Sequence, residues 1–216
     1  MNPSIDLEGV VLAEVPELAE AHGPLCSRLD ILVPIAALQD EVSQLMERDW
    51  LPHVNRGDYD GAWDVIPLRC QRQHVGAHPI LQGFALNDPA QEWDDLPALH
   101  ACPVIGQLLG QLACPQKSVR LMRLHAGASI RPHRDHGLHL GCGEARLHVP
   151  VWTDPDVHFF VAGQEVPMRE GEFWYFNADE EHAVVNHSRR ARTHLVVDCV
   201  ANPWLVRHIQ EGVFRA

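Results

Sequence analysis

From Pro115 onward the chain has room for little except short strands. Candidate strands fall at 119–125, 129–135, 146–153, 158–162, 165–168, 172–176, 182–186 and 193–200, rich in β-branched and aromatic residues and separated by Gly, Pro, Asp and Asn. Strands this short and this closely spaced leave no space for helical crossovers, so they argue for an antiparallel sandwich or barrel. Ala162-Gly163-Gln164-Glu165 reads as a tight hairpin. The preceding half is different. Ile35, Leu38, Val42, Leu45 and Met46 recur at three- and four-residue steps with charged residues between them, which predicts an amphipathic helix with Pro34 in its first turn. Pro52 and the turn-rich Asn55-Arg56-Gly57-Asp58 stretch stop it. A second helical stretch covers 97–113, with Pro103 breaking or restarting it, and a strand is expected over 63–70.

Helices first and strands after predict an α+β domain: a double-stranded β-helix (jelly roll, cupin-like) with N-terminal helices packed on one sheet. A single domain over 1–216 is expected, comprising an irregular arm (1–30) with room for a short strand, a helical support region (31–114) and a jelly-roll core (115–204). The Gly- and Pro-rich segment 71–89 is expected to form a loop over the site. The net charge of −12 argues against a nucleic-acid partner, and no apolar run approaches the length of a membrane span. An anionic ligand would have to be held by individually placed arginines. Six cysteines without a C-x-x-C pair read as reduced thiols, and the acidic N-terminus lacks the features of a secretory signal, so a cytoplasmic location is expected.

The chemistry gathers at Pro132-His133-Arg134-Asp135. On an extended segment His133 and Asp135 leave the same face, because side chains alternate along a strand. A second histidine from another strand would complete the two-His-one-carboxylate set of non-haem Fe(II) centres. Composition tempers this: with 15 histidines and as many aspartates, about one His-x-Asp is expected by chance. The weight therefore falls on residues further along the chain. His182 opens a strand after the aromatic run Phe173-Trp174-Tyr175-Phe176, near a sheet end where barrel sites lie. Arg192 leads the apolar strand 193–200, and if it points into the barrel its buried charge demands an anion. Arg146 and His148 share one face of a strand whose other face carries Leu147, Val149 and Val151. Such a polar pair suits either a bound ligand or cross-strand hydrogen bonds.

Taken in order, the His-x-Asp strand, a histidine some fifty residues later and an arginine ten beyond it resemble the Fe(II)/2-oxoglutarate-dependent dioxygenases. The closer resemblance is to the aspartyl/asparaginyl β-hydroxylase family, which includes cis-proline hydroxylases. It extends over about residues 60–200, taking in Trp63 to Arg69, Arg146-Leu147-His148-Val149-Pro150, Gly171 to Asn186 and Arg192 to Asp198. It implies that His133, Asp135 and His182 bind Fe(II) and that Arg192 pairs with the distal carboxylate of 2-oxoglutarate. His148 and Arg146 would contact the cosubstrate or a substrate carboxylate. The implied activity is hydroxylation of a small-molecule or peptide substrate (an amino acid, or an Asp/Asn or Pro-like residue) by O2, with 2-oxoglutarate converted to succinate. Arg69 and Arg123 are the further candidates for an acidic or amino-acid substrate. Vertebrate aspartyl hydroxylases lack the second-position carboxylate that Asp135 supplies, which sets this chain nearer the proline hydroxylases and bacterial members. Two rivals share the architecture: a cupin-type metalloenzyme of another reaction class, and a non-catalytic metal- or 2-oxoglutarate-binding barrel. Cupins usually place a second histidine where Asp135 stands and have no use for Arg192.

Overall fold

The computed structural model describes residues 23–45, 50–82, 92–212 and 214–215. In chain order β1 (Cys26–Leu29) is followed by α1 (Ile35–Leu45), β2 (Leu51–Pro52), β3 (Tyr59–Asp60) and the long β4 (Trp63–Gln71). A 3-10 turn at Arg72–His74 and the one-turn α2 (Pro79–Gln82) come next, then β5 (Trp93–Asp95), α3 (Pro97–His100) and α4 (Pro103–Gly110). The strand-rich half comprises β6 (Gln116–Leu124), β7 (Ser129–His133), β8 (Glu144–Trp152), β9 (Val157–Val161), β10 (Gln164–Glu165), β11 (Phe173–Phe176), β12 (His182–Asn186) and β13 (Arg192–Val200). The helix α5 (Pro203–Gln210) and β14 (Phe214–Arg215) close the described chain.

Two antiparallel sheets face each other. The larger runs β14-β1-β11-β8-β13-β6-β4-β2 with β5 beside β4, and the smaller runs β10-β9-β12-β7-β3. From β6 to β13 the chain passes from one sheet to the other: β6, β8, β11 and β13 lie in the large sheet, and β7, β9 and β12 in the small one. That alternation is the double-stranded β-helix expected from the strand spacing.

Period-two alternation gives the large sheet two working faces. On β13, Leu195, Val197 and Cys199 join the core beneath the helices, whereas Val196 joins the core between the sheets. β6 divides likewise, with Val119 and Leu121 outward and Met122 and Leu124 inward. Leu38, Val42 and Leu45 of α1 and Ile105, Leu108 and Leu109 of α4 cover the outer face, so the helices do pack on one sheet. Each such fully buried aliphatic chain contributes about 1.5–3 kcal/mol. Glu41 ties the two helices together. Its carboxylate accepts from the backbone N–H of Val104 (2.7 Å) and Ile105 (2.9 Å) at the start of α4, where Cys102 provides no cap of its own.

The 97–113 stretch is two helices, divided as expected at Pro103, which starts α4 afresh after the Cys102 backbone leaves helical geometry. One boundary differs from expectation. The strand expected over 165–168 is only the two-residue β10, joined to β9 through Ala162 (φ 48°) and Gly163 (φ 76°), the paired left-handed conformations of a type I′ hairpin. Met46, the first 22 residues of the arm and the 83–89 part of the expected loop lie outside the described residues. No helix among the described residues is long and apolar enough to cross a membrane.

Candidate active site

His133 ends β7 and His182 begins β12, and the two are cross-strand partners with rings 4.2 Å apart. β7 was expected to run through Asp135 but stops at His133, so strand parity does not place the carboxylate. A turn places it instead, with the Asp135 N–H donating to the Ala178 carbonyl (2.8 Å) in the segment that leads to His182. One ligand atom from each of His133, Asp135 and His182 then lies within 4.8 Å of the others, and His182 Nε2 is 3.7 Å from Asp135 Oδ2. Each imidazole donates its Nδ1–H to a backbone carbonyl, His133 to Arg131 (2.8 Å) and His182 to Glu180 (2.9 Å). These bonds fix the tautomer that leaves Nε2 as the metal-facing lone pair. Burial, with His133 alongside, lowers the His182 pKa to about 4, so the ring is neutral at pH 7. Burial alone would raise the Asp135 carboxyl. Arg146, the strongest of its charged neighbours, offsets this and holds the group below the ordinary carboxylate range. Two imidazole nitrogens and one carboxylate are a donor set that suits a divalent transition metal.

Below the triad, the inward faces of β6, β8 and β13 are polar, against the apolar face they turn to the helices. Arg146 hydrogen-bonds Asp135 and also grips its cross-strand partner Asp198 through Nε (2.7 Å) and Nη2 (3.1 Å). Arg120 reaches the same carboxylate (3.0 Å). Burial would raise the Asp198 carboxyl, but the two guanidiniums overcome it and hold its pKa at about 2. Arg192 is 3% exposed and has no carboxylate partner among the described residues, and its Nε lacks any hydrogen-bond partner there. Burial lowers its pKa to about 9. Its Nη2 donates to His194 Nδ1 (2.9 Å), so that nitrogen is unprotonated, and His148 Nδ1 lies 3.2 Å from it. The phenyl ring of Phe159 lies 5.6 Å from the Arg192 guanidinium. A buried guanidinium without a counter-ion is costly alone and well suited to an anionic ligand that arrives with its own carboxylate.

Triad, Arg146, His148 and Arg192 all line one cavity of about 290 Å³. Arg69 and Arg123 are not brought to it. Arg123 alternates with the inward Arg120 and Met122 and so points outward, bonding Asp64 (2.8 Å) with its guanidinium 4.1 Å from the Trp50 ring. Arg69 follows a register shift in β4 that sets it beside the outward Val119, and it is spent on Asp95 and the carbonyls of Trp93 (2.8 Å) and Gln116 (3.2 Å). The expected substrate contacts are thus corrected by strand parity and by that bulge. The cavity instead uses Arg120, Asp198 and His53, none of which the sequence singled out. An aspartate amid Val-Val-Asp-Cys-Val was the available signal for Asp198. His53, stacked on Trp63 at 3.6 Å, had none. Among the described residues 72–82, expected as part of a covering loop, none lines the cavity; the turn carrying His53, Asn55 and Asp58 does.

The fold and site together define a double-stranded β-helix with a candidate mononuclear metal centre and a buried, unpaired guanidinium in one cavity. The chain belongs to the aspartyl/asparaginyl beta-hydroxylase family, whose sequence profile matches residues 35–202. No match was found among curated proteins. Among solved structures, it is similar to HygX from Streptomyces hygroscopicus with nickel and 2-oxoglutarate bound (13% identity, 84% of each chain, TM-score 0.52). It is similar also to SnoN, a non-heme alpha-ketoglutarate-dependent epimerase from nogalamycin biosynthesis (12% identity, 85% of this chain and 79% of that one, TM-score 0.52). A third is a Pseudomonas putida prolyl-4-hydroxylase (14% identity, 83% of this chain and 94% of that one, TM-score 0.50). At these identities the likeness concerns the fold.

Proposed function

We propose that this protein is an Fe(II)/2-oxoglutarate-dependent dioxygenase that hydroxylates an amino acid, or an Asp/Asn or Pro-like residue of a peptide. The observation that carries the proposal is a guanidinium, Arg192, buried without a counter-ion among the described residues, in the same cavity as a two-His-one-carboxylate triad. His133, Asp135 and His182 would hold Fe(II), and Arg192 would pair with the distal carboxylate of 2-oxoglutarate, with His148 beside it. Bound together, metal and cosubstrate supply the oxidising power: O2 is consumed, 2-oxoglutarate becomes succinate and CO2, and a substrate C–H becomes C–OH.

The chain's own residues supply placement. The Nδ1–H bonds of the two histidines orient their rings, and Arg146 holds Asp135 ionised and in position. Phe159 and Phe176 give the cavity an apolar wall beside His182. One catalytic domain spans the chain, and its six free thiols are in keeping with the reducing cytoplasm.

Anaerobic titration with Fe(II) and 2-oxoglutarate tests this by the visible charge-transfer band of the chelate. The band is expected in the native protein and lost in Asp135→Ala combined with His182→Ala. Metal binding without a band, or without succinate formation in air, would instead favour a cupin-type enzyme.

A further inference from the structure

We infer that the cavity recognises its substrate as a free, zwitterionic amino acid, the ammonium on Glu144 and the carboxylate on Arg120 and Arg146; that this ligand is then hydroxylated rests on the dioxygenase reading above. Glu144, Arg146 and His148 alternate along β8 and all reach the cavity. Glu144 Oε1 accepts from Lys117 Nζ (2.7 Å), but Glu144 Oε2 is buried without any hydrogen-bond partner among the described residues. A carboxylate oxygen withdrawn from water and left unpaired is a standing cost that a ligand N–H can remove. An ammonium does so with charge as well.

Donors for the other end of such a ligand stand on the same wall. Each guanidinium has five N–H groups. The bonds to Ser118 (2.6 Å) and Asp198 (3.0 Å) use two on Arg120, and those to Asp198 and Asp135 use three on Arg146. Donors remain on both for a carboxylate. With Arg192 reserved for the cosubstrate, the other charged residues of the lining balance: Lys117, Arg120, Arg134 and Arg146 against Asp58, Asp135, Glu144 and Asp198. A zwitterion pairs with both signs and leaves that balance intact, whereas an internal peptide residue brings neither α-charge and leaves Glu144 Oε2 unpaired. Apolar lining suited to the side chain comes from Trp63 and Met122 on the large sheet and from Ile130 on the small one.

Calorimetry tests the assignment in oxygen-free solution containing Fe(II) and 2-oxoglutarate, with the twenty protein amino acids and their N-acetyl derivatives as probes. At least one free amino acid is expected to bind, with its N-acetyl derivative at least about tenfold weaker. Glu144→Gln should shrink that ratio to within about threefold, as should Glu144→Gln combined with Lys117→Met, which avoids stranding the lysine. Binding by no free amino acid, equal binding of the acetylated forms, or an unchanged ratio in both variants would overturn the inference. The charge-transfer band followed in parallel separates the two proposals. A band without discrimination removes only the zwitterion site, and discrimination without a band removes only the dioxygenase.

Discussion

His182 stands directly across the β7–β12 ladder from His133, so the backbone register of the small sheet sets the spacing of the two nitrogen donors. Asp135 is held differently, by a turn beyond the strand and by Arg146 from the opposite sheet. The candidate metal centre is therefore also a joint between the two sheets.

Asp198 is the far anchor of that joint. It is 1% exposed and shared by Arg120 and Arg146, so Asp198→Asn strands two buried guanidiniums. Removing one partner of a buried pair costs about 3–5 kcal/mol, which urea unfolding would register. The same variant should weaken metal binding about 10–100-fold, because Arg146 no longer has a fixed base from which to orient Asp135. A variant as stable as the native protein would show that the cluster is not the brace described.

Arg192 should move stability and function in opposite directions. Methionine fills similar volume without a charge, so Arg192→Met is expected to stabilise the ligand-free protein by about 1–3 kcal/mol. Binding of 2-oxoglutarate should fall at least about 100-fold, since the counter-charge for its distal carboxylate is gone. Thermal unfolding with and without 2-oxoglutarate reads both effects, and a destabilised variant that still binds the cosubstrate contradicts the assignment.

Acid should destabilise the protein early. Burial, with Arg192 close by, keeps the pKa values of His148 and His194 well below the ordinary value near 6.5, and burial brings His53 and His182 to about 4. Below pH 6.5 the unfolded chain takes up protons that these folded-state rings refuse. Stability contributed by keeping them neutral is complete above pH 6.5 and declines as pH falls toward 4, by up to about 1.4 kcal/mol per pH unit for each ring. Urea midpoints measured between pH 7 and pH 4.5 should drop steadily, and a flat profile would argue against neutral buried imidazoles.

Glu41 gives a control remote from the chemistry. Glu41→Ala removes the acceptor for the Val104 and Ile105 N–H groups and should cost about 1–3 kcal/mol in unfolding. The charge-transfer band per folded molecule should not change. A band lost along with stability would mean that the helical cover governs the site directly.

The sequence conveyed the architecture because eight strands at close spacing admit few alternatives, and β12 was placed with its observed boundaries at 182–186. It conveyed the triad and Arg192 through order along the chain. What it could not convey depends on register. Arg123 and Arg120 are chemically alike and three residues apart, yet they face opposite ways on β6. The register shift between Pro67 and Arg69 pairs Arg69 with the outward Val119, and no local pattern announces such a bulge. Asp198 and Arg146 are 52 residues apart and become partners only once β13 is aligned on β8.

The division of labour on β13 bears on how such a protein can change over generations. A one-residue insertion or deletion early in that strand would exchange its two faces, carrying Arg192 out of the barrel and a leucine into it, so the strand resists drift. The cavity is also bordered by the exposed turn from Asn55 to Asp58, whose length and composition can vary without disturbing either core. New substrates are thus most readily acquired at that turn, with the oxidising machinery inherited unchanged.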